Sequence, residues 1–313
     1  IFIFRAVGCS YARRPEGGCS MCGFSSLTLP PSPTADPGKP TISPANSIAA
    51  GVTADELIAQ FDSIISEPAS VAGLGEVDLY NSGSFFADEE MPSAVRDHVF
   101  SCLGKLTLTL VLVESRPEFI TSEKLREARC RLGSVMLDVG IGLESADDDV
   151  RERLIRKGFN RPAFEAAVTV LAEGGAGLLV NVLLKPLGLE EAPAIEDAVA
   201  TGKYVFDLAR RLCLPARIAL QPVFVAPGTP LEREFLAGRY LPPSLWSVVE
   251  VLTRLHGQGE IIVGLSEEGL GPKRSPVGCG RCDGALRQAL REYNRTRTLD
   301  VFSALACSCH NRN

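Results

Sequence analysis

The sequence predicts an α/β protein in which helices cover both faces of one parallel sheet. Short apolar runs rich in Val, Ile and Leu alternate with stretches of helical periodicity, and strands buried on both faces read as such runs. A polar cluster also follows each apolar run, where the carboxyl ends of parallel strands commonly form a site. Six units of this kind form a wound sheet or a partial (β/α)6 barrel.

The predicted elements follow in order along the chain. The apolar runs that we expect to be strands are Ile1–Val7, Val77–Tyr80, Leu106–Val113, Val135–Ile141, Leu178–Leu184 and Arg217–Val223. The amphipathic stretches that we expect to be helices are Ala54–Ile65, Ser93–Leu103, Ser122–Arg131, Asp147–Arg156, Ala163–Glu173 and Ala194–Leu212. The segment Pro30–Pro44 holds too many prolines for a helix and is predicted to be an exposed loop.

The chain changes character after the last predicted strand. The segment LPPSLWSVVEVLTRLHG has a helical pattern, and its two prolines suit a first helical turn. Past Gly264 the strand periodicity is lost, and a further helix is predicted from about Asp283 to Tyr293. We therefore expect a core of residues 1–225 and a helical extension of residues 226–313 that carries a second group of cysteines.

The amino-acid composition indicates in which cellular compartment the protein works and what class of ligand it binds. The chain has 313 residues, 45% of them hydrophobic and 22% charged, as in ordinary globular proteins. Its net charge of −6, with scattered Lys and Arg, argues against a large nucleic-acid ligand. No apolar run reaches the roughly 20 residues of a membrane span, and no export signal is evident. The ten cysteines therefore favour a reduced, cytoplasmic protein whose clustered thiols bind metal.

Three cysteines form the first cluster. Cys9, Cys19 and Cys22 lie in the Gly-rich segment GCSYARRPEGGCSMCGF, directly after the first predicted strand. Three thiolates can hold three irons of a [4Fe–4S] cluster and leave the fourth iron for an outside ligand. A closed zinc site would need a fourth ligand, and no further Cys or His is near in the sequence. The other alternative is that the three cysteines are unrelated buried thiols. The glycines beside them argue against this alternative.

Four cysteines form the second cluster. Cys279 and Cys282 stand in GCGRCD, and Cys307 and Cys309 stand in ACSCH near the end of the chain. A helix between the two pairs could fold the tail back so that the four thiols converge. Four thiolates suit either a closed zinc site or a second [4Fe–4S] cluster, and we favour the cluster because the chain already carries one. His310 could replace one of the thiols.

Several segments resemble the radical S-adenosylmethionine (SAM) superfamily. The first cysteine segment looks like the cluster-binding loop of its Elp-type and archaeosine-type branches, which have a longer first spacing. The other matching segments are YNSGSFF (Tyr80–Phe86), VESRPEFI (Val113–Ile120), VGIGLESADDDVRERLIRKGF (Val139–Phe159), PPSLWSVVEVL (Pro242–Leu252) and CGRCD (Cys279–Asp283). Together they resemble the radical-SAM subunit of archaeosine synthase over nearly the whole chain. The resemblance implies a partial (β/α)6 radical-SAM barrel with a C-terminal cysteine-containing extension.

The resemblance also implies an activity. In this superfamily a reduced [4Fe–4S] cluster binds SAM and cleaves it to a 5′-deoxyadenosyl radical, which takes a hydrogen atom from the substrate. Cys9, Cys19 and Cys22 would hold the cluster, and Gly23 and Phe24 would pack beside the adenine. An external electron donor of the flavodoxin or ferredoxin type is implied as a partner.

Polar residues after the second and third strands are implied to bind SAM. Asn81, Ser82, Gly83 and Ser84 would contact the methionine amino group, although a plain turn capped by Ser84 would explain them too. After the third strand, a carboxylate suits ribose hydroxyls and a guanidinium suits a carboxylate. The residues concerned are Glu114 and Arg116, for which a local surface ion pair is the alternative.

Residues after the later strands complete the predicted site. Glu144 and Ser145 follow the fourth strand and would contact SAM. Either Arg156 or Lys157 could reach the SAM carboxylate, although a basic residue near a helix end also simply favours the helix dipole. On the substrate side, the predicted catalytic residues are Lys185, which ends the fifth strand, and Gln221, which could line the base of the cavity.

Three functions remain open from the sequence. The favoured one modifies a small nucleoside-like substrate, by sulfur insertion or C–S bond formation with an auxiliary cluster, because the chain is acidic and shows no evident RNA-binding appendage. The second is a tRNA-modifying subunit of the archaeosine synthase type, which cleaves a lysine–deazaguanine adduct. The third is a binding module in which both cysteine clusters are zinc clips, but zinc does not explain the polar clusters at the strand ends.

Overall fold

The computed structural model describes residues 1–14, 17–23, 52–67, 73–265 and 270–309. Seven parallel strands form one sheet, and their order in the sheet equals their order along the chain. The strands are β1 (Phe2–Ile3), β2 (Glu76–Tyr80), β3 (Leu110–Glu114), β4 (Met136–Glu144), β5 (Gly177–Leu184), β6 (Ala216–Pro222) and β7 (Glu260–Val263). Within the described residues the two edge strands do not pair with each other, so the sheet is a partial barrel. The predicted α/β partial barrel is confirmed.

Helices connect the strands and cover the outside of the sheet. They are α1 (Ala54–Ile65), α2 (Ser93–Leu103), α3 (Ser122–Leu132), α4 (Arg161–Glu173), α5 (Glu191–Arg211), α6 (Pro230–Leu236), α7 (Leu245–Arg254) and α8 (Asp283–Thr296). Polar side chains cap several of them, since an N-cap oxygen satisfies an otherwise unpaired backbone amide. At α1, Thr53 and Glu56 form a reciprocal capping box. None of the described helices is long and apolar enough to cross a membrane.

The sequence did not predict one strand and misjudged the form of two other elements. The unpredicted strand β7 has four residues, which is too short for a clear periodic signal, and it pairs with β6. The first strand covers Phe2–Ile3 rather than Ile1–Val7. The predicted helix Asp147–Arg156 is a short π-helical turn, Asp149–Leu154.

Two further sequence predictions have no direct counterpart here. The Pro30–Pro44 loop lies outside the described residues. The division into a core of residues 1–225 and an extension of residues 226–313 stays a prediction, although β7 comes from the second of these ranges and continues the sheet.

Inward-facing side chains form layers within the partial barrel. An apolar layer contains Leu112, Leu179 and Ala219, with the partly buried side chains of neighbouring strands packed against them. On the amino-terminal side of this layer, Arg217 donates to Glu76 at 3.1 Å and to Asp138 at 2.9 Å, which closes that end with ion pairs. The opposite end, beyond the carboxyl termini of the strands, is therefore where the barrel opens.

Helix α8 covers the free edge of β7. The side-chain amide of Asn294 accepts a hydrogen bond from the Val263 amide and donates one to the Val263 carbonyl, both at 2.8 Å. This side chain thus makes the contacts that the backbone of a next strand would make. An exposed strand edge invites pairing with other chains, so α8 protects the sheet as well as packing on it.

Candidate active site

A cavity of about 230 Å³ opens at the carboxyl ends of the strands. Its wall contains the three cysteines of the amino-terminal segment, Cys9, Cys19 and Cys22. Residues that follow or end β2, β3, β4 and β6 also line it. Among them are the predicted site residues Ser82, Gly83, Glu114, Arg116, Glu144 and Gln221. The fold therefore brings together side chains that are more than 200 positions apart in the sequence.

The buried carboxylate of Glu90 holds the loop that carries Cys9. One oxygen of Glu90 accepts from the Ser10 amide at 2.7 Å, and the other accepts from the Ser84 amide. Burial raises the pKa of Glu90, while these two amide donors oppose that rise. A Cβ atom on Gly83 would lie 2.0 Å from a Glu90 oxygen and 3.0 Å from the Cys9 nitrogen, so glycine permits the close approach. Glu90 was not predicted from the sequence, because it does not follow a predicted strand directly.

The turn at residues 19–22 is fixed by two backbone contacts of Ser20. The Ser20 amide donates to the Ile155 carbonyl at 2.8 Å, and the Ser20 carbonyl accepts from the Leu231 amide at 3.2 Å. These contacts attach the turn to the segment after β4 and to helix α6. The cysteine segment is thus anchored from both sides of the barrel mouth.

Arg116 clamps the cysteine segment to the chain after the π-helical turn. Its guanidinium carbon lies 4.2 Å from the centre of the Tyr11 ring, a cation–π distance. It donates to the Lys157 carbonyl at 2.9 Å and to Glu118 at 2.6 Å. The Tyr11 hydroxyl donates to the Arg156 carbonyl at 2.9 Å. Arg116 lines the cavity, but its donors already hold two protein segments together.

A buried ion pair lies in the cavity wall. Lys157 Nζ is 2.7 Å from Glu144 Oε1, and the two side chains are only 13% and 7% exposed. Burial disfavours the ammonium, but the charge of Glu144 and its hydrogen bond raise the pKa of Lys157 above its ordinary value. The second oxygen of Glu144 is buried without a hydrogen-bond partner among the described residues. Of the two basic residues considered from the sequence, Lys157 is in the wall and Arg156 is exposed.

Backbone irregularity at the end of β4 places Glu144. The pairing of β4 with β5 shifts register between Gly142 and Glu144, and Glu144 has a left-handed φ of 69°. A β-bulge of this kind redirects a side chain and is common beside active sites. A Cβ atom on Gly142 would lie 2.4 Å from a Glu144 oxygen and 2.6 Å from Lys157 Nζ. Glycine at position 142 therefore leaves the room that the ion pair occupies.

Three polar side chains form a hydrogen-bonded row in the cavity. Gln221 Nε2 donates to Asn181 Oδ1 at 3.1 Å, and Asn181 Nδ2 donates to Glu114 Oε1 at 2.9 Å. All three residues line the cavity, on β6, β5 and β3. Asn181 was not predicted from the sequence, although a single amide inside the apolar strand GLLVNVLL indicates an inward-facing polar role.

Two predicted cofactor contacts from the first half of the chain are not among the residues that line the cavity, and a third cannot be placed. Asn81 is 1% exposed, and neither atom of its side-chain amide has a partner within the described residues. Ser84 is fully buried, and its hydroxyl accepts from the Arg116 amide at 3.2 Å. Phe24 lies outside the described residues. Neither Asn81 nor Ser84 lines the cavity.

Two predicted residues after later strands also point elsewhere. The Ser145 hydroxyl donates to Asp197 on α5 at 2.6 Å. Burial, opposed by that hydrogen bond, raises the pKa of Asp197 to about 6. Lys185 pairs with Glu191 at 2.7 Å, and its carbonyl accepts from the Tyr240 hydroxyl at 2.7 Å. Neither Ser145 nor Lys185 lines the cavity.

The four tail cysteines converge. Sγ–Sγ distances are 3.8 Å between Cys279 and Cys282, 3.5 Å between Cys279 and Cys307, and 3.5 Å between Cys282 and Cys309. All four sulfurs lie within 4.8 Å of one another, a grouping that could hold a metal ion. His310, the alternative ligand, lies outside the described residues. The predicted convergence of the two cysteine pairs is therefore confirmed.

The cavity suits a three-cysteine cluster with a polar cofactor beside it. Cys9, Cys19 and Cys22 all line the cavity. Three thiolates can each bind a different iron of one cluster. Glu144 also lines the cavity, and its second oxygen has no hydrogen-bond partner among the described residues. The donor set at the cavity thus fits the cofactors that the resemblance implies.

Comparison with solved structures defines the class of the fold. An Elp3 from Methanocaldococcus infernus superposes with a TM-score of 0.51 at 14% identity, over 77% of this chain and 59% of that chain. A radical SAM methyltransferase from Sphaerobacter thermophilus gives a TM-score of 0.52 at 17% identity, over 84% of this chain and 64% of that one. The chain therefore spans less than two thirds of either solved chain. The fold is the radical SAM partial barrel.

Sequence comparison narrows the resemblance. No protein-family model matches the chain. It is 27% identical to archaeosine synthase subunit beta of Methanosarcina acetivorans, over 98% of this chain and 81% of that protein. The same subunit of Thermococcus kodakarensis is 26% identical over 99% and 89%, and an uncharacterized Methanocaldococcus jannaschii protein is 29% identical over 99% and 79%. The resemblance to the archaeosine branch of the radical SAM superfamily is confirmed.

Proposed function

We propose that the chain is a radical SAM enzyme that acts as the beta subunit of an archaeosine-synthase-type system, cleaving a lysine–deazaguanine adduct on tRNA. The observation that carries the chemistry is the meeting of Cys9, Cys19 and Cys22 with polar residues from four strands in one cavity. Similarity to two archaeosine synthase beta subunits over nearly the whole chain supports the choice of substrate. The proposed reaction includes no sulfur insertion.

Cys9, Cys19 and Cys22 would hold a [4Fe–4S] cluster and leave one iron for SAM. When bound, the cluster and SAM supply the 5′-deoxyadenosyl radical that takes a hydrogen atom from the substrate. Glu90 and Arg116 would position the cysteine segment, because they tie it to the turn after β2 and to the segment after β4. An external one-electron donor of the flavodoxin or ferredoxin type would be the reductant.

The Glu144–Lys157 pair is proposed to bind the methionine end of SAM. That end carries an ammonium and a carboxylate, and the pair offers a partner of opposite charge to each. Lys157 keeps its proton because Glu144 raises its pKa, so it remains a cationic partner at any ordinary pH. Ser82 and Gly83, which also line the cavity, would contribute backbone and hydroxyl groups.

The row of Gln221, Asn181 and Glu114 is proposed to bind substrate or ribose hydroxyls. Alternating amide donors and acceptors suit the polar edge of a modified base, and a site with fixed polar partners discriminates against ligands that leave them unpaired. For Lys185 we propose a positioning role, because its contacts with Glu191 and Tyr240 fix the end of β5.

A partner subunit is proposed to supply most of the tRNA affinity. The chain has a net charge of −6, whereas affinity for nucleic acid rests mainly on cationic contacts with phosphates. The name of the two similar subunits indicates that those proteins work in an assembly. If the partner binds the tRNA and this chain carries out the chemistry, an acidic chain can act on a tRNA substrate.

The test is an anaerobic assay on tRNA that carries the lysine–deazaguanine adduct, with SAM, a strong reductant and the partner subunit. Nucleoside mass spectrometry should show conversion by the wild-type protein and none by Cys22→Ala. The free modified nucleoside is assayed in parallel. Conversion of the free nucleoside but not of the tRNA would contradict the tRNA substrate and favour a small nucleoside-like one. Conversion of neither would contradict both functions.

A further inference from the structure

We propose that Cys279, Cys282, Cys307 and Cys309 bind one zinc ion in a closed tetrahedral site, and that this ion fixes one wall of the cavity. The proposal goes beyond the proposed function, since it concerns a second metal. It rests on the spacing of the four sulfurs and on the path of the chain that leads to them.

The sulfur spacing distinguishes zinc from an iron–sulfur cluster. Zn–S bonds of about 2.3 Å at tetrahedral angles place the sulfurs about 3.8 Å apart. In a [4Fe–4S] cluster each thiolate binds a different iron, so the cysteine sulfurs lie roughly 6 Å apart. The observed separations of 3.5 to 3.8 Å, with all four sulfurs within 4.8 Å, match one ion. A second iron–sulfur cluster was favoured from the sequence, whereas the sulfur spacing favours zinc.

The protein around the four sulfurs is built to hold them. Asp283 Oδ1 accepts from the Gly278 amide at 2.9 Å and from the Gly280 amide at 3.0 Å, which fixes the turn between the first two cysteines. The Arg281 guanidinium donates to the Ser308 hydroxyl at 3.3 Å and joins this turn to the tail. Contacts of this kind orient metal ligands before the metal binds.

The chain segment before the cysteines forms part of the cavity. Leu270 lines the cavity and contacts the place where a Cβ atom on Gly23 would stand, at 3.3 Å. Val225 then pairs with this segment, since its amide donates to the Arg274 carbonyl and its carbonyl accepts from the Lys273 amide, both at 2.8 Å. A metal at the end of the segment would hold its path, and with it the wall beside the first cysteine cluster.

Metal analysis of the anaerobically reconstituted protein tests the proposal. We expect about one zinc and about four irons per chain. The double variant Cys307→Ser/Cys309→Ser should lose the zinc and keep the iron. The control Cys213→Ser, at an exposed cysteine outside both clusters, should keep both metals. X-ray absorption at the zinc edge of the wild-type protein, which needs no variant, should show four sulfur ligands at about 2.3 Å.

The proposal also predicts a change at the cavity. The double variant should bind SAM about 3- to 10-fold more weakly than Cys213→Ser, because the Leu270 wall loses its anchor. About eight irons in the wild-type protein, falling to about four in the double variant, would overturn zinc in favour of a second cluster. Zinc retained by the double variant would overturn the site itself. These metal contents do not depend on tRNA activity, so the two proposals can fail separately.

Discussion

Lys157 Nζ lies 2.7 Å from Glu144 Oε1, and both side chains are largely buried in the wall of the cavity. Removing one member of a buried ion pair leaves an unpaired charge and destabilises a protein by about 3–5 kcal/mol. A pair of this kind is also suited to a zwitterionic ligand, because a group that carries both charges can pair with each residue without leaving either one alone. The arrangement therefore leads to a specific prediction about SAM.

Lys157→Met should weaken SAM binding by about 10- to 100-fold, or about 1.4–2.8 kcal/mol. Arg156→Met, at the exposed neighbouring position, should change it less than about twofold. Isothermal calorimetry on the reconstituted protein measures both. Lys157→Met leaves the buried carboxylate of Glu144 without its cationic partner. The double variant Glu144→Gln/Lys157→Met is therefore included to restore folding. Equal weakening by the Arg156 and Lys157 variants would contradict the assignment.

Asn181→Leu should separate substrate turnover from SAM cleavage. The variant breaks the hydrogen bonds from Gln221 and to Glu114, so a polar substrate loses its fixed partners. We expect turnover to fall about tenfold or more, as the loss of one to two hydrogen bonds implies, and SAM cleavage without substrate to change less than about twofold. Parallel quantification of product and 5′-deoxyadenosine measures the two rates. An equal fall in both would place Asn181 on the SAM side instead.

Glu90→Gln should loosen the cysteine segment without touching any cysteine. Glutamine has one acceptor oxygen, and its NH2 group would face an amide of Ser10 or Ser84 that now has a carboxylate partner. We expect the reduced cluster to show an altered electron paramagnetic resonance signal and to be lost faster in air. The control Glu89→Gln, at the exposed neighbouring carboxylate, should match the wild-type protein. An unchanged signal in Glu90→Gln would contradict the positioning role proposed for Glu90.

The fold could be predicted from the sequence because each strand and helix carries its signal within its own residues. Buried strands such as β5 are continuous apolar runs, and helices such as α1 carry both an apolar face and a cap. Strand β7 was not predicted because four residues carry almost no periodicity. It pairs with β6, and its other edge is bonded to Asn294, 31 residues further on. Such a contact is set by packing and not by local sequence.

The sequence indicated some of the residues that line the cavity, although their roles stay predictions. Glu114 ends β3 and lines the cavity, as expected where the carboxyl ends of parallel strands converge. Gln221, predicted to line the base of the cavity, lies near the end of β6 and also lines it. Asn81 and Ser145 also follow strands but do not line the cavity, because side-chain direction after a strand depends on turn geometry. Glu90 was missed because it acts through backbone amides, which leave no mark on residue types.

Asp197→Asn should stabilise the protein at neutral and alkaline pH. The folded-state pKa of about 6 lies above the ordinary value of 3.8, so the buried carboxyl is harder to ionise in the folded state. The contribution of this carboxyl to the free energy of unfolding is therefore fully present below about pH 4. It is lost as the pH rises through about 6. This difference corresponds to at most about 3 kcal/mol. Asparagine keeps an acceptor for the Ser145 hydroxyl and never ionises.

Denaturant unfolding at pH 4.5 and pH 8 measures the effect. The gain of Asp197→Asn over the wild-type protein should be large at pH 8 and small at pH 4.5. Asp207→Asn, an exposed position on the same helix, serves as the control. A gain of equal size at both pH values would show that packing, and not ionisation, is responsible.

The central claim is that Cys9, Cys19 and Cys22 form a cluster site open to SAM. The most direct measurement is the formation of 5′-deoxyadenosine by the anaerobically reconstituted protein with SAM and a strong reductant. The account predicts 5′-deoxyadenosine from the wild-type protein and from Cys213→Ser, and none from Cys9→Ala, Cys19→Ala or Cys22→Ala. A wild-type protein that retains about four irons and still yields no 5′-deoxyadenosine would contradict it.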